Sequence, residues 1–148
     1  MDQPKWLEIA KKEVGVGEIV GHQNNPRILQ YHDETSLNAS DDETSWCSSF
    51  ANWVMKQAGL KGTNNAAARS WLNWGKSIPI PRVGCIVVFE RGNSGWQGHV
   101  ALYINQDDHG NLQVLGGNQG NKVSIANYPK SKLLGYRWPT EKEGYTEE

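Results

Sequence analysis

Cysteine is scarce in this chain: among 148 residues there are two, Cys47 and Cys85. Two thiols are too few for a disulfide framework at this length. There is no Cys-x-x-Cys pair, and the four histidines are scattered at positions 22, 32, 99 and 109, so no metal-ligand spacing exists and no cofactor is expected. Long apolar runs are lacking too. None approaches the length that spans a bilayer, and Met1-Asp2-Gln3-Pro4-Lys5-Trp6-Leu7-Glu8 has no continuous apolar stretch of the signal-peptide kind. The expectation is a protein made in the cytoplasm without a signal peptide and without a membrane partner. An excess of one charge is also missing: the net charge is −1 with 21% charged residues, which gives no general attraction to nucleic acid. No internal repeat, low-complexity segment or linker interrupts the chain. Its length suits one domain with one core, expected to be a monomer.

Tryptophan, by contrast, is abundant, with seven in the chain. Aromatic side chains bury large areas and also line grooves that hold peptides and sugars. The last nine residues carry four acids and one lysine; without them the chain stands at +2. The expected layout is a catalytic domain over residues 1–139 and an acidic, flexible tail over 140–148.

Periodicity predicts a helix over residues 4–14, with Trp6, Ile9, Ala10 and Val14 on one face and Gly15 and Gly17 ending it. A polar stretch over 21–44 reads as loop, with a short helix near Pro26. The strongest helix is 45–58, capped by Thr44 or Ser45 and stopped by Gly59, and a shorter one is expected over 65–74. Strands follow at 83–89, 99–104, 112–115 and 122–125, with a last one at 134–138. A turn at Asp107-Asp108-His109-Gly110 separates the second and third. Helices first and an antiparallel meander afterwards argue for an α+β fold.

Cys47 sits where a polar stretch turns into the best helix, in Trp46-Cys47-Ser48-Ser49-Phe50. A thiol attacks only as thiolate, and a helix N-terminus favours the anion. Backbone N–H groups of the first turn, around Cys47 and Ser48, are free to hold an oxyanion. His99 begins a strand in Gly98-His99-Val100-Ala101, placed to take the thiol proton and return it to a leaving amine. Asn118, at the end of a later strand, supplies an amide oxygen for the second ring nitrogen; Gln119 takes that role if the register differs by one. Thiol on a helix, then strand histidine, then strand amide is the order of a papain-type cysteine hydrolase. Cys85, inside an apolar run, reads as packing. His22, His32 and His109 lie in polar loops and read as solvated. Asp41-Asp42-Glu43 lacks the alternating spacing of a calcium loop and reads as acids leading a helix.

Trp46-Cys47-Ser48-Ser49-Phe50-Ala51-Asn52-Trp53, Gly84-Cys85-Ile86-Val87-Val88-Phe89, Gly98-His99-Val100-Ala101 and Gly116-Gly117-Asn118-Gln119 together resemble the CHAP / NlpC-type cysteine peptidoglycan hydrolases. The nearest resemblance is to single-domain, phage-associated, endolysin-like members, and it runs over about residues 5–139. It implies a papain-like α+β fold and cleavage of an amide bond in bacterial cell-wall stem peptides. The enzyme would be an N-acetylmuramoyl-L-alanine amidase or an endopeptidase, working through a thioester and causing lysis. Cys47 and His99 carry over as nucleophile and base, and Asn118 as third member. Many relatives place a Glu two residues before such an Asn; here that position is Gly116. Trp46, Trp71, Trp74 and Trp96 are expected along the substrate groove. The protein would act in the periplasm or at the wall after release or injection. Three other readings remain open: a secretion-system effector with an immunity partner, a wall-binding module of the same fold without turnover, and a cytosolic protease or transglutaminase-like enzyme acting on proteins.

Overall fold

The computed structural model describes residues 3–18, 25–35, 46–92 and 97–146. Helix α1, Lys5–Lys12, buries Trp6, Leu7 and Ala10 at the spacing of one helical face. Trp6 Nε1 donates to the Gly84 carbonyl at 2.7 Å, which ties the helix to the start of the sheet. The helix ends earlier than the periodicity predicts, so Val14 lies exposed. Instead Glu13 turns inward and accepts the Tyr31 hydroxyl at 2.7 Å. Helix α2, Pro26–His32, starts on an Asn25 side chain that accepts the Arg27 N–H, with proline at its first position.

Helix α3, Cys47–Gln57, is buried from Cys47 to Met55. Its N-cap is Trp46, which makes no side-chain cap; the expected caps Thr44 and Ser45 lie outside the described residues. Its end follows the glycine signal. Gly59 has a left-handed φ of 83°, its N–H reaches the Lys56 carbonyl at 2.9 Å and that of Leu60 reaches Met55 at 2.8 Å. The helix expected over 65–74 is a 3-10 segment, Ala68–Asn73. Side chains explain the difference: Asn65 Oδ1 takes the Ala67 N–H at 2.8 Å and Ser70 Oγ donates to the Ala67 carbonyl at 2.6 Å, in competition with helical bonds.

The sheet has six antiparallel strands in the order β1-β6-β2-β3-β4-β5. These are β1 Lys76–Ile78, β2 Ile86–Glu90, β3 Gly98–Gln106, β4 Asn111–Gly116, β5 Ser124–Pro129 and β6 Leu133–Trp138. The meander from β2 to β5 follows the predicted order, and the architecture is α+β. β2 begins later than expected because Gly84 is left-handed (φ 89°) and the Cys85 N–H closes a turn onto the Arg82 carbonyl. Lys122 pairs only through an isolated bridge to Gly17, so β5 starts at Ser124. Helix α3 packs on β3 and β4, α1 packs on α3 and β4, and the 3-10 segment on β2, β3 and β6. Among the described residues no helix is long and apolar enough to cross a membrane.

The C-terminal stretch differs from the expected free tail through residue 146. Thr140 and Glu143 form a reciprocal capping box around a 3-10 turn. The Lys61 N–H donates to the Glu143 carbonyl at 2.9 Å. Tyr145 packs edge-on against Trp6 at 5.6 Å and Trp138 at 5.8 Å. A large aromatic contact and satisfied backbone groups outweigh the local acidity. His32 is likewise corrected: it is buried at the end of α2, with Nδ1 2.8 Å from Ser49 Oγ. His109 is exposed in the predicted turn. His22 and Asp41-Asp42-Glu43 lie outside the described residues.

Candidate active site

Cys47 is the first residue of α3 and His99 the second of β3. They hydrogen-bond to each other inside the protein, with 3% and 6% of their surfaces exposed. Burial alone would push the Cys47 thiol up. The hydrogen bond and charge of His99, with backbone hydrogen bonds from Val100 and Ser48, hold it below its ordinary value. For His99 burial works against the charged ring, but the bond and charge of Cys47, then the bond to Gln119, raise its pKa; Arg91 opposes them weakly. Both directions favour the charged forms of the two groups, thiolate and imidazolium, and the start of a helix favours the anion as well.

The second ring nitrogen is held by Gln119 and not by Asn118. His99 Nε2 lies 2.8 Å from Gln119 Oε1. The amide orientation follows from its other end, where Nε2 donates to the Ser124 carbonyl at 2.7 Å and the Val114 carbonyl at 3.4 Å. Both carbonyls only accept, so the amide nitrogen faces them and its oxygen faces the ring. A carbonyl oxygen also only accepts, so the hydrogen is on His99 Nε2 and Nδ1 is left for the thiol.

The displacement from Asn118 to Gln119 has a backbone cause. β4 ends at Gly116, and Asn118, Gly120 and Asn121 take left-handed φ values of 60°, 66° and 64°. The chain reverses at Asn118 and brings Gln119 back under the ring. Gly116 leaves the room: a Cβ there would lie 2.7 Å from Gln119 Oε1. Gly117 passes tightly over α3, where a Cβ would meet Phe50 Cβ at 2.7 Å and the Trp46 ring at 2.8 Å.

The tryptophans expected along a groove are structural. Trp46 is fully buried, stacks on Tyr31 at 5.8 Å and donates to Glu18 Oε2 at 2.9 Å. Trp71 is fully buried and donates to Ser48 Oγ at 2.9 Å. Trp74 donates to the Lys61 carbonyl at 2.7 Å and packs edge-on to Trp71. Trp96 lies outside the described residues. Each described ring is tied into the scaffold, because an indole N–H inside a core needs an acceptor and each finds one.

Sequence reasoning passed over Tyr128, whose ring stacks on His99 at 4.8 Å and on Phe89 at 5.0 Å. Strand alternation carried no signal for it, since the contact comes from a strand remote in sequence. Cys85 is fully buried and burial pushes its thiol up to about 12, so it stays protonated. Neither cysteine is in a disulfide. No group of three His, Cys, Asp or Glu capable of holding a metal occurs among the described residues.

A buried Cys–His pair joining a helix start to an antiparallel sheet is the arrangement of the papain-like class. The CHAP domain profile matches residues 39–118, more than half of the chain, and this stretch holds Cys47 and His99. The chain belongs to the CHAP domain family. Its fold is similar to that of a Staphylococcus aureus subsp. aureus Mu50 protein described as similar to lipoprotein, NLP/P60 family (TM-score 0.57, 19% identity, 92% of this chain and 41% of that one). It is also similar to the wild-type endolysin LysIME-EF1 (TM-score 0.61, 12% identity, 94% of this chain and 65% of that one). The chain therefore spans less than two thirds of either neighbour. No curated protein sequence matches it.

Proposed function

We propose that this chain is a cysteine peptidoglycan hydrolase that cuts an amide bond of bacterial cell-wall peptide, with residues 3–146 forming one catalytic unit. The observation that carries the reading is the buried Cys47–His99 pair with Gln119 Oε1 2.8 Å from the far ring nitrogen. Membership of the CHAP family and a fold shared with an endolysin and an NLP/P60 protein support the wall as substrate.

In the proposed reaction His99 Nδ1 takes the Cys47 proton and the thiolate attacks the amide carbon. The C–S bond forms as the carbonyl electrons move to oxygen. That oxyanion is held by backbone N–H groups at the start of α3, at Cys47 and Ser48. Collapse breaks the C–N bond, and His99 gives its Nδ1 proton to the leaving amine. Water, deprotonated by His99, then attacks the thioester; a carboxylic acid leaves and Cys47 regains its proton. Sugar–alanine amide cleavage and peptide cleavage share this chemistry, and both would lyse cells from the wall.

Purified sacculi incubated with the protein should release soluble fragments whose new amine and carboxyl ends, read by mass spectrometry, identify the bond. Cys47→Ala with an unchanged circular dichroism spectrum should release none. Equal release by that variant would overturn the proposal.

A further inference from the structure

The buried site needs more than Gln119 to hold a charged base. A neutral amide fixes the direction of the Nε2–H bond, but it leaves the ring free to turn about that bond and supplies no negative charge to the imidazolium. Gly116 offers no side chain to add one. The face of the ring is covered instead by Tyr128 of β5, with centroids 4.8 Å apart and planes 19° from parallel. Tyr128 lies equally flat on Phe89, at 5.0 Å and 20°. Phe89 is buried and is the cross-strand partner of His99, so Tyr128 rests on two adjacent rings at once.

We propose that Tyr128 is a positioning residue for His99, its ring face fixing the plane of the imidazole and stabilising the imidazolium of the Cys47–His99 pair. This rests on the reading of Cys47 and His99 as nucleophile and base. The physics is that of a cation over an aromatic face, which strengthens when the pair is taken out of water. It needs the ring, not the hydroxyl. Among the described residues, the titratable and charged groups that bear on His99 are Cys47 from α3, Arg91 just beyond β2 and Tyr128 itself; Gln119 is neutral. Arg91 disfavours the imidazolium. Among the described residues, Tyr128 and the thiolate are therefore the two groups that favour it beyond the single hydrogen bond of Gln119.

The test is the rate of Cys47 alkylation by iodoacetamide as a function of pH, in the full chain and without any wall substrate. A failure of the peptidoglycan reading therefore leaves it intact. Tyr128→Phe should keep the acid limb of the profile where the wild type has it. Tyr128→Leu should move that limb up by about one pH unit, with up to about tenfold slower alkylation on the limb. An unmoved limb in a folded Tyr128→Leu protein overturns the proposal. So does a Phe variant that shifts as far as the Leu variant, since that would place the effect in the hydroxyl. If Tyr128→Leu does not fold, the wild-type protein decides. The carbon-bound ring protons of His99 should show the upfield ring-current shift of a stacked imidazole in NMR, and unshifted protons overturn the stack.

Discussion

A methyl group on Gly116 would lie 2.7 Å from Gln119 Oε1 and 2.9 Å from Ala101 Cβ. Gly116→Ala should therefore push the amide off His99 while leaving the thiol in place. Turnover of wall fragments is expected to fall roughly 10²-fold, the scale of a base misplaced by an ångström, with Cys47 still open to alkylation. The coupled pair also sets a pH dependence. The proposed reaction needs a thiolate, whose pKa lies below the ordinary ~8.5, and an imidazolium, whose pKa lies above the ordinary ~6.5. The profile should be a bell, falling on the acid side as Cys47 is protonated and on the alkaline side as His99 loses its proton. In Cys47→Ala the group that raises His99 most is gone and burial remains, so NMR titration should find the His99 pKa moved from above its ordinary value to below it. At this scale Cys47 and His99 were legible, because a helix start and a strand start each leave a pattern in the chain. Asn118 against Gln119 was not, because one left-handed residue decided it.

Helix α3 is buried from Cys47 to Met55 although it carries Ser48, Ser49 and Asn52. Each of these polar groups has a partner. Asn52 Oδ1 accepts the Asn64 N–H at 2.7 Å, and its Nδ2 donates to the Ser48 carbonyl at 3.0 Å. Ser48 Oγ donates to the Asn65 carbonyl at 2.6 Å. The segment after the helix is thus bound to the helix that carries Cys47. Asn52→Ala would leave the Asn64 N–H without this acceptor and should cost about 2 kcal/mol in urea unfolding; an unchanged midpoint would contradict this. Apolar spacing and Gly59 made the helix legible. The same periodicity misjudged residues 65–74, where asparagine and serine side chains bind the backbone first. Strand ends were blurred by turns, as at Gly84, where local hydrogen bonding replaced pairing.

For the whole molecule, the antiparallel sheet could be anticipated but its edges could not. β1 was missed because three residues carry too little pattern, and nothing local shows that β6 returns to lie between β1 and β2. The tryptophans were placed on a surface because indole chemistry suits both groove and core, and only packing separates the two. Tyr145 makes the same point at the C-terminus, where it closes on Trp6 and Trp138 from opposite ends of the chain. Truncation after Pro139 should therefore lower stability by about 2 kcal/mol and the melting temperature by roughly 5 °C in calorimetry, whereas loss of a free tail would change neither.

Strand β5 holds both supports of His99: Ser124 pins the Gln119 amide, and Tyr128 covers the ring. It is also, among the described residues, the edge strand of the sheet, paired along its length with β4 alone. Edges are among the first parts of a fold to open, at a free energy below that of global unfolding. Heat or denaturant should then abolish the proposed activity before melting the protein, a difference seen by comparing the loss of wall-fragment release with the loss of circular dichroism. The working limit of the site is set by how firmly β5 clings to β4, and strengthening the core elsewhere would leave that limit where it is.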